Sequence, residues 1–440
     1  MDFGARFAAW RSAAAVYRDK RVLVITFLGI SSGFPLGILG DPVTAWLQES
    51  GLSKTSIGLF ALVGLPYAFK FLWAPAFDRL SIPIVTDALG RRRGWIIVSQ
   101  IALLACVLSL GFIELPGDIF LAAAVTLGVA FTSASQDIVI DAYRVEILEE
   151  RQLGAGAATV VFGYRVGQVG SGTAGLIVAS TFGWTAAFMT MGAVALIGII
   201  AILLNPEPKA DLSSSGEDTM MTGLKDSVVA PLADFFARPG CLLIIGIIVL
   251  YKLGDSVLSV MQTPFFLELE FTKPEIAGIK KGVGFSAIIV GGFLGGIMVA
   301  GLGTLRSLFA CGILQALSNL IFVYQALVGH DLTVLTITVT AENLATGMGS
   351  TAFVAYLSSL CNQSYTATQY ALLTSVMGGA RTMLSASAGW FADHMNWVSF
   401  FLLTTVAALP ALLLIWFLMR HYPAQRCQTK DAAHAPDKSY

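Results

Sequence analysis

Long apolar stretches recur along this chain, and their length constrains the fold more than any other feature. Twelve segments of roughly 20 residues or more carry few charges, and this is the length that an α-helix needs to cross the hydrocarbon core of a bilayer. They lie near 21–49, 55–78, 94–113, 118–145, 153–181, 184–204, 239–267, 274–301, 305–328, 332–361, 366–392 and 396–420. Only 12% of the 440 residues are charged, against about 25% in a soluble domain. We therefore predict an all-α membrane protein with about twelve transmembrane helices.

Positive charge is unevenly distributed over the loops between these segments. If the N-terminus is cytoplasmic, most loop arginines and lysines lie on the cytoplasmic side, and the other side carries only Lys54, Lys273, Lys280 and Lys281. Cationic loops stay on the cytoplasmic side of a membrane. We therefore predict a multi-pass protein with both termini in the cytoplasm.

A hydrophilic break divides the predicted helices into two groups of six. The predicted segments are an amphipathic N-terminal segment at 1–20, an N-terminal six-helix bundle at 21–204, a cytoplasmic linker at 205–238, a C-terminal six-helix bundle at 239–420 and a polar cytoplasmic tail at 421–440. Two six-helix bundles joined in this way are the plan of the major facilitator superfamily, in which substrate binds near the membrane midplane between the halves. The sequence resembles that superfamily in its organisation.

Metal, phosphate and nucleophile motifs are not found in the sequence. The five cysteines occur singly, the four histidines form no H-E-x-x-H pattern, and no G-x-x-x-x-G-K-[ST] loop is present. The 27 basic residues nearly balance the 28 acidic ones, so no bulk charge attracts nucleic acid. A membrane hydrolase would need a nucleophile and a base, and no histidine lies in a predicted span. We expect no metal, no cofactor, no nucleic-acid partner and no catalytic residue, and we predict a monomeric transporter that is not an enzyme.

The loop after the second predicted helix carries a charged motif. Asp78 and Arg79 are followed by a ten-residue insert and then by the basic run at 90–94. This pattern resembles the signature G-x-x-x-D-R-x-G-R-R of the major facilitator superfamily, in which the acid and the cations latch the cytoplasmic ends of the bundles, although Ala74 replaces the first glycine. The residues predicted for this cytoplasmic gate are Asp78, Arg79, Arg91, Arg92, Asp141 and Arg144. The alternative is a positive loop that only sets the orientation.

Ionisable residues inside the predicted spans need a partner or a use, because each costs at least about 2.5 kcal/mol on insertion scales. They are Asp41, Lys70, Asp137, Asp141, Arg144, Arg165, Lys252, Asp255, Glu342 and Arg381. Six of them fall near the midplane on six different helices: Lys70, Asp137, Arg165, Lys252, Glu342 and Arg381. The formal charge of these six is +2, which favours an anionic substrate.

Each midplane charge has a structural alternative, namely a salt bridge that holds the bundle together. Lys252 and Asp255 are three residues apart on one predicted helix, a spacing at which they can satisfy each other. No acid lies within one turn of Arg165 or Arg381. The acids that we predict for proton coupling are Asp137, Glu342 and Asp255.

Several stretches resemble a specific family, the AmpG-type muropeptide permeases. They are 27–36 (FLGISSGFPL), 67–75 (YAFKFLWAP), 90–95 (GRRRGW), 133–142 (SASQDIVIDA), and 154–157 (GAGA) followed by 163–165 (GYR). The match is close through the first five helices and looser afterwards. The resemblance implies roles for Lys70, Gln136, Asp137 and Arg165, which stand inside these motifs. The full predicted substrate-binding set is Lys70, Gln136, Tyr164, Arg165, Lys252 and Arg381.

The resemblance also implies a substrate and a location. It implies a permease of the bacterial inner membrane that imports GlcNAc-anhydroMurNAc-peptides, driven by the proton gradient, for cell-wall recycling and β-lactamase induction. The expected partners are this anionic glycopeptide, protons and the lipid bilayer. Within the same class the residues also allow a carrier of another bulky anion, such as an acetyl-coenzyme A-like substrate. A drug exporter would have a more apolar cavity, and a channel would show neither saturation nor proton dependence.

Overall fold

The computed structural model describes residues 16–52, 60–208, 233–236, 240–362, 365–385 and 388–421. Most of the predicted amphipathic segment at 1–20, of the linker at 205–238 and of the tail at 421–440 lies outside the described residues. The described residues form helices and short connections, with no strand among them.

The helices follow the predicted apolar segments. In the first half of the chain they are α1 (Lys20–Leu39), α2 (Asp41–Glu49), α3 (Leu65–Phe69), α4 (Ala74–Arg79), α5 (Val85–Leu89), α6 (Arg91–Leu110), α7 (Ile119–Ile147), α8 (Leu153–Ala193) and α9 (Ala195–Leu203). In the second half they are α10 (Cys241–Leu250), α11 (Leu253–Glu268), α12 (Lys273–Ile279), α13 (Phe285–Leu302), α14 (Thr304–Val328), α15 (Leu332–Ser359), α16 (Thr366–Ser385), α17 (Ala388–His394) and α18 (Trp397–His421).

Within the described residues, eight helical runs are long and apolar enough to cross a membrane. One of these runs, Glu150–Leu203, covers two predicted spans. Its two parts are separated by a kink at Gly183, where φ is 82° and ψ is 172°. A positive φ of this kind is accessible to glycine at little steric cost. The predicted fifth and sixth spans are therefore joined without a loop.

Three further predicted spans are helical but do not meet these criteria. The second, at 55–78, is divided into short helices, because Pro66 and Pro75 each stand in the first turn of a new helix and proline cannot continue a preceding one. The tenth and eleventh correspond to α15 and α16, which are 28 and 20 residues long. Both helices are long enough to cross a membrane. They contain many polar side chains, however, and are therefore less apolar than the eight runs.

The chain divides into two compact units. Of the described residues, those within 233–359 and 376–421 form the C-terminal unit, and those within 16–208 and 360–375 form the N-terminal unit. The first turns of α16 thus belong to the N-terminal unit, although they lie late in the sequence. Inside the N-terminal unit α1 packs along α8, and α6 packs along α7. Inside the C-terminal unit α13 packs along α15, and α14 packs against both α15 and α18.

Glycines let α1 and α8 approach until their backbones touch. A Cβ atom on Gly33 would overlap the carbonyl oxygen of Tyr164, and a Cβ atom on Gly163 would overlap that of Thr26. Small residues are what permits such close packing between membrane helices. This contact fixes the part of α8 that carries Tyr164 and Arg165 against the 27–36 motif of α1.

Replacing Gly163 by valine tests this backbone contact. The new side chain has no space against the α1 backbone, so we expect Gly163→Val to destabilise the protein by about 3 kcal/mol or more. The apparent Tm of the purified protein in detergent measures the effect. Gly170→Val is the matched control on the same helix, because its Cβ has no neighbour within 4 Å. Equal Tm values for the two variants would contradict the proposed role of the contact.

Candidate functional site

Asp137 lies on α7 beside the 27–36 motif of α1. Ser32 donates a hydrogen bond through Oγ to Asp137 Oδ1 at 2.6 Å. Lys70, which begins the short helix after α3 and is only 9% exposed, is near enough to interact electrostatically with Asp137. The structure thus brings together one predicted cation and one predicted acid, and it adds a serine donor.

Gln136 is fully buried and donates a hydrogen bond to a backbone carbonyl of α1 that lacks its helical partner because of a proline. Pro35 interrupts the helical bonding of α1, because it has no N–H to donate to the carbonyl of Ser31 four residues earlier. Gln136 Nε2 donates to that carbonyl at 2.6 Å, and Gln100 Nε2 donates to Ser31 Oγ at 3.1 Å. Gln136 therefore connects α7 to the polar part of α1 next to Asp137.

Arg165 and Arg381 have exposed side chains on membrane-length helices. Arg165 lies on α8 between Gly163 and Gly167, which both contact α1, and Arg381 lies on α16 in the C-terminal unit. Neither has a hydrogen-bond or ion-pair partner within the part of the chain that the structure describes. Tyr164, next to Arg165, is partly buried.

In the C-terminal unit, Lys252 and Asp255 form the ion pair that their spacing permits. Lys252 Nζ lies 3.1 Å from Asp255 Oδ2 and 3.4 Å from Gln315 Oε1. Both charged side chains are about 15% exposed. Gln315 comes from α14, so the pair is connected to a second helix.

Glu342 is joined to this pair through Thr346. Thr346 Oγ1 lies 3.2 Å from Glu342 Oε1 and 3.2 Å from Asp255 Oδ1. Gln315 Nε2 donates to Thr346 Oγ1 at 2.8 Å. Glu342, which is 6% exposed, also has a side-chain hydrogen bond with Gln262. The predicted acids Asp255 and Glu342 are therefore parts of one hydrogen-bonded network.

The charged motif at 78–94 is organised around Arg92. This residue is 1% exposed, and Arg92 Nη2 lies 2.7 Å from Asp78 Oδ1 and 2.5 Å from Glu146 Oε1. Arg92 Nη1 also donates to the carbonyl of Phe77 at 2.9 Å. Arg91 donates to the backbone carbonyl of Asp78. The cation that pairs with Asp78 thus comes from the far side of the ten-residue insert.

Asp78 also caps the N-terminus of α16. The backbone N–H groups of Ala367 and Thr368 donate to its carboxylate at 3.1 and 2.8 Å, and the Thr368 hydroxyl donates at 2.6 Å. A carboxylate is stabilised at this position because it satisfies orphan N–H groups and faces the positive end of the helix dipole. The same acid is thus bound to Arg92 and to the first turn of α16.

The other predicted gate residues lie near this cluster or on its surface. Arg144 is fully buried, and Arg144 Nη2 lies 3.4 Å from Asp141 Oδ1 on the same helix. The Arg144 guanidinium also lies over the ring of Tyr370, 5.3 Å from its centroid, and Tyr370 stands in the second turn of α16. Arg79 is exposed.

Glu207 is a functional candidate that the sequence analysis did not identify. Its carboxylate accepts hydrogen bonds from the backbone N–H groups of Arg92 and Arg93 at 2.8 and 3.0 Å, so it caps α6. Tyr143 donates to the carbonyl of Pro206 at 2.8 Å, beside the cap. The start of the predicted linker is therefore bound to the basic motif.

The sequence analysis missed five polar residues at these sites. None of them belongs to a motif, and only the two glutamates carry a charge: they are Glu146, Glu207, Gln315, Thr346 and Thr368. The available signal for Glu146 was an acid five residues after Asp141 and two after Arg144 on α7.

Comparison with known proteins identifies relatives of the chain. Residues 22–271 match the family model of the Major Facilitator Superfamily. The anhydromuropeptide permease of Escherichia coli K12 is 39% identical over 402 residues, which cover 91% of this chain and 80% of that protein. A Rickettsia conorii protein named as a transporter of the AmpG group is 35% identical, over 92% of this chain and 97% of that protein. A solved structure of the Escherichia coli fucose:proton symporter has 14% identity and a TM-score of 0.66, over 92% of this chain and 99% of that one, which shows a shared fold.

Removal of Arg92 tests this buried cluster. Arg92→Ala leaves two buried carboxylates without their cation, so we expect a loss of stability of about 3–5 kcal/mol and a lower apparent Tm. Arg151→Ala is the control, because Arg151 pairs with Glu149 at 3.0 Å but is 74% exposed. An exposed pair contributes at most about 1 kcal/mol. A similar Tm for both variants would show that the buried cluster is not structurally important.

Proposed function

Because the chain belongs to the AmpG-type permeases of the major facilitator superfamily, we propose that it imports anhydromuropeptides into the cytoplasm together with protons. The predicted family and the predicted all-α fold class are confirmed, and the chain is a multi-pass membrane transporter. The observation that carries the substrate proposal is the 39% identity to the Escherichia coli anhydromuropeptide permease over 91% of the chain.

The charges inside the helices support an anionic substrate. Arg165 and Arg381 expose guanidinium groups that have no partner among the described residues, and guanidinium groups match carboxylates in geometry. The peptide part of a GlcNAc-anhydroMurNAc-peptide carries carboxylates. We assign Lys70, Gln136, Tyr164, Arg165, Lys252 and Arg381 to substrate binding on this basis.

Asp137 is our first candidate for proton coupling. A carboxyl group can take up and release a proton, and Asp137 has a single serine donor and a nearby lysine. Its charge state therefore affects how strongly Lys70 is held, and Lys70 is one of the cations proposed to bind the substrate. Asp255 and Glu342 are the corresponding candidates in the C-terminal unit.

We further propose that the cytoplasmic cluster acts as a gate. Moving the first turn of α16 away from Asp78 breaks three hydrogen bonds at once. The same end of the N-terminal unit carries the other predicted gate residues, which are Arg79, Arg91, Arg92, Asp141 and Arg144. Because these bonds share one carboxylate, they stabilise one conformation together and are lost together when the conformation changes.

The remaining parts of the proposal concern the cell. We place the protein in the bacterial inner membrane with both termini in the cytoplasm, as a monomer that carries muropeptides from the periplasm. The imported muropeptides then enter cell-wall recycling and act in β-lactamase induction. The positive loops and the family membership support this location.

Uptake into oriented membrane vesicles tests the function directly. A labelled anhydromuropeptide is offered with and without an imposed proton gradient, and vesicles that lack the protein serve as the control. We expect saturable accumulation that a protonophore abolishes. If the muropeptide is ignored while the gradient is intact, the substrate proposal is wrong, and coenzyme A esters offered to the same vesicles test the alternative bulky anion.

Asp137→Asn tests the proton-coupling role. The amide cannot bind and release a proton as a carboxyl group does. We therefore expect uphill accumulation to be lost while exchange of substrate across the membrane continues. Counterflow and gradient-driven uptake in the same vesicles measure the two activities. Asp118→Asn is the control, because Asp118 is exposed next to the first residue of the same helix. Normal accumulation by Asp137→Asn at every pH would remove Asp137 from this role.

Arg165→Ala and Arg381→Ala test the recognition of the anion. A hydrogen bond to a charged group contributes about 1.5–3 kcal/mol, so each variant should raise the half-saturation concentration by roughly 10-fold or more. Concentration-dependent uptake measures this change. Arg306→Ala is the control, because Arg306 is an exposed arginine in the first turn of α14 and has no place in the proposed site. Unchanged half-saturation in both test variants contradicts the assignment.

A further inference from the structure

The network in the C-terminal unit centres on a hydroxyl group that lies between two acids. Thr346 Oγ1 is 3.2 Å from Asp255 Oδ1 and 3.2 Å from Glu342 Oε1, and it accepts a hydrogen bond from Gln315 Nε2. Asp255 and Glu342 come from different helices, α11 and α15. The hydroxyl thus connects the two carboxyl groups.

The number of protons in this network follows from the chemistry of a hydroxyl. A threonine hydroxyl has one hydrogen to donate and two lone pairs that accept. Thr346 therefore donates to one carboxylate, and the contact with the other requires that this second carboxyl donates to Thr346. One acid of the two carries a proton when both contacts are made. Two carboxylate charges on one buried hydroxyl would repel each other, which disfavours the alternative of a shared hydrogen.

Lys252 determines which acid is ionised. Its ammonium group lies 3.1 Å from Asp255 Oδ2, so the negative charge is best placed on Asp255. Glu342 is 6% exposed and has no ion-pair partner among the described residues, so its burial beside the Asp255 carboxylate disfavours a second negative charge. The other titratable groups nearby are Lys280, which faces Glu342, and Tyr251 and Cys311, which face the Lys252–Asp255 pair. The arrangement thus places the proton on Glu342.

We propose that Thr346 relays a proton between Glu342 and Asp255. In the step from Glu342, the carboxyl proton passes to Thr346 Oγ1 while the Thr346 hydroxyl proton passes to Asp255 Oδ1. Glu342 becomes a carboxylate, Asp255 becomes a neutral carboxyl, and Thr346 ends as a hydroxyl. Gln315 positions the relay, because its amide donates to Thr346 and its carbonyl oxygen lies 3.4 Å from Lys252 Nζ.

The relay links proton position to a cation. When Asp255 is neutral it no longer holds Lys252 by charge, so the ammonium group becomes available to an anion. The arrival of a proton at Asp255 and the release of Lys252 are therefore one event. This inference rests on the proposed function, since it specifies how the C-terminal unit couples protons to an anionic substrate.

Replacing the hydroxyl tests the relay. Thr346→Val keeps the shape and removes the relay atom, whereas Thr346→Ser keeps the hydroxyl. We expect Thr346→Val to lower proton-driven uptake on the order of 100-fold, the size typical of a lost proton-transfer group, while counterflow continues and Thr346→Ser stays near wild type. Thr351→Val is the matched control, because Thr351 is a fully buried threonine on the same helix whose hydroxyl has no hydrogen-bond partner among the described residues.

A second readout needs no substrate. Infrared difference spectra of the purified protein, recorded between acid and alkaline pH, report the C=O stretch of protonated carboxyl groups. We expect a band that Glu342→Gln removes and that Thr346→Val shifts, while Thr351→Val leaves it unchanged. A band unaffected by Thr346→Val, or full proton-driven uptake by that variant, overturns the relay. If wild type ignores muropeptides but its band still shifts in Thr346→Val, the substrate proposal fails and the relay stands.

Discussion

The carboxylate of Asp78 is surrounded by donors, and the charged end of the N-terminal unit is built around it. Burial of a charge is costly unless fixed partners replace the water that is lost. Arg92 supplies one partner, and the first turn of α16 supplies three hydrogen bonds. Glu207 in turn caps the helix that carries Arg92. Residues that are far apart in the sequence thus lie together because they compensate the buried charge of Asp78.

The acids differ in the number of fixed donors around them, and therefore in how far their charge is compensated. Asp78 has a guanidinium and three further donors, which hold its carboxylate in a fixed position. Asp137 has one serine donor and a nearby lysine, and Glu342 shares a hydroxyl with Asp255. An acid with few fixed donors can exist with or without its proton at a smaller difference in free energy. Asp78 therefore suits the proposed gate, and the acids within the helices suit the proposed proton transfer.

Local sequence patterns predicted the parts of this structure that depend on nearby residues. The apolar segments identified the helices, and the spacing of Lys252 and Asp255 predicted a pair that lies at 3.1 Å. The break of the second span into short helices was also encoded locally, by Pro66 and Pro75. The contact between Asp78 and Thr368 joins residues 290 positions apart, and no local pattern reports it. Uncharged donors such as Thr346 are common in membrane helices, so the sequence gives no reason to select one of them.

The proton on Glu342 changes the electrostatic character of the C-terminal unit. When every group is ionised, the charges of Lys252, Arg381, Asp255 and Glu342 cancel. A neutral Glu342 leaves one net positive charge, and the N-terminal unit has the same net charge from Lys70, Arg165 and Asp137. An anion is therefore favoured in the C-terminal unit only after a proton has bound there. Because an uncompensated anion is costly inside a membrane protein, the proposed coupling requires that a proton binds before the substrate does.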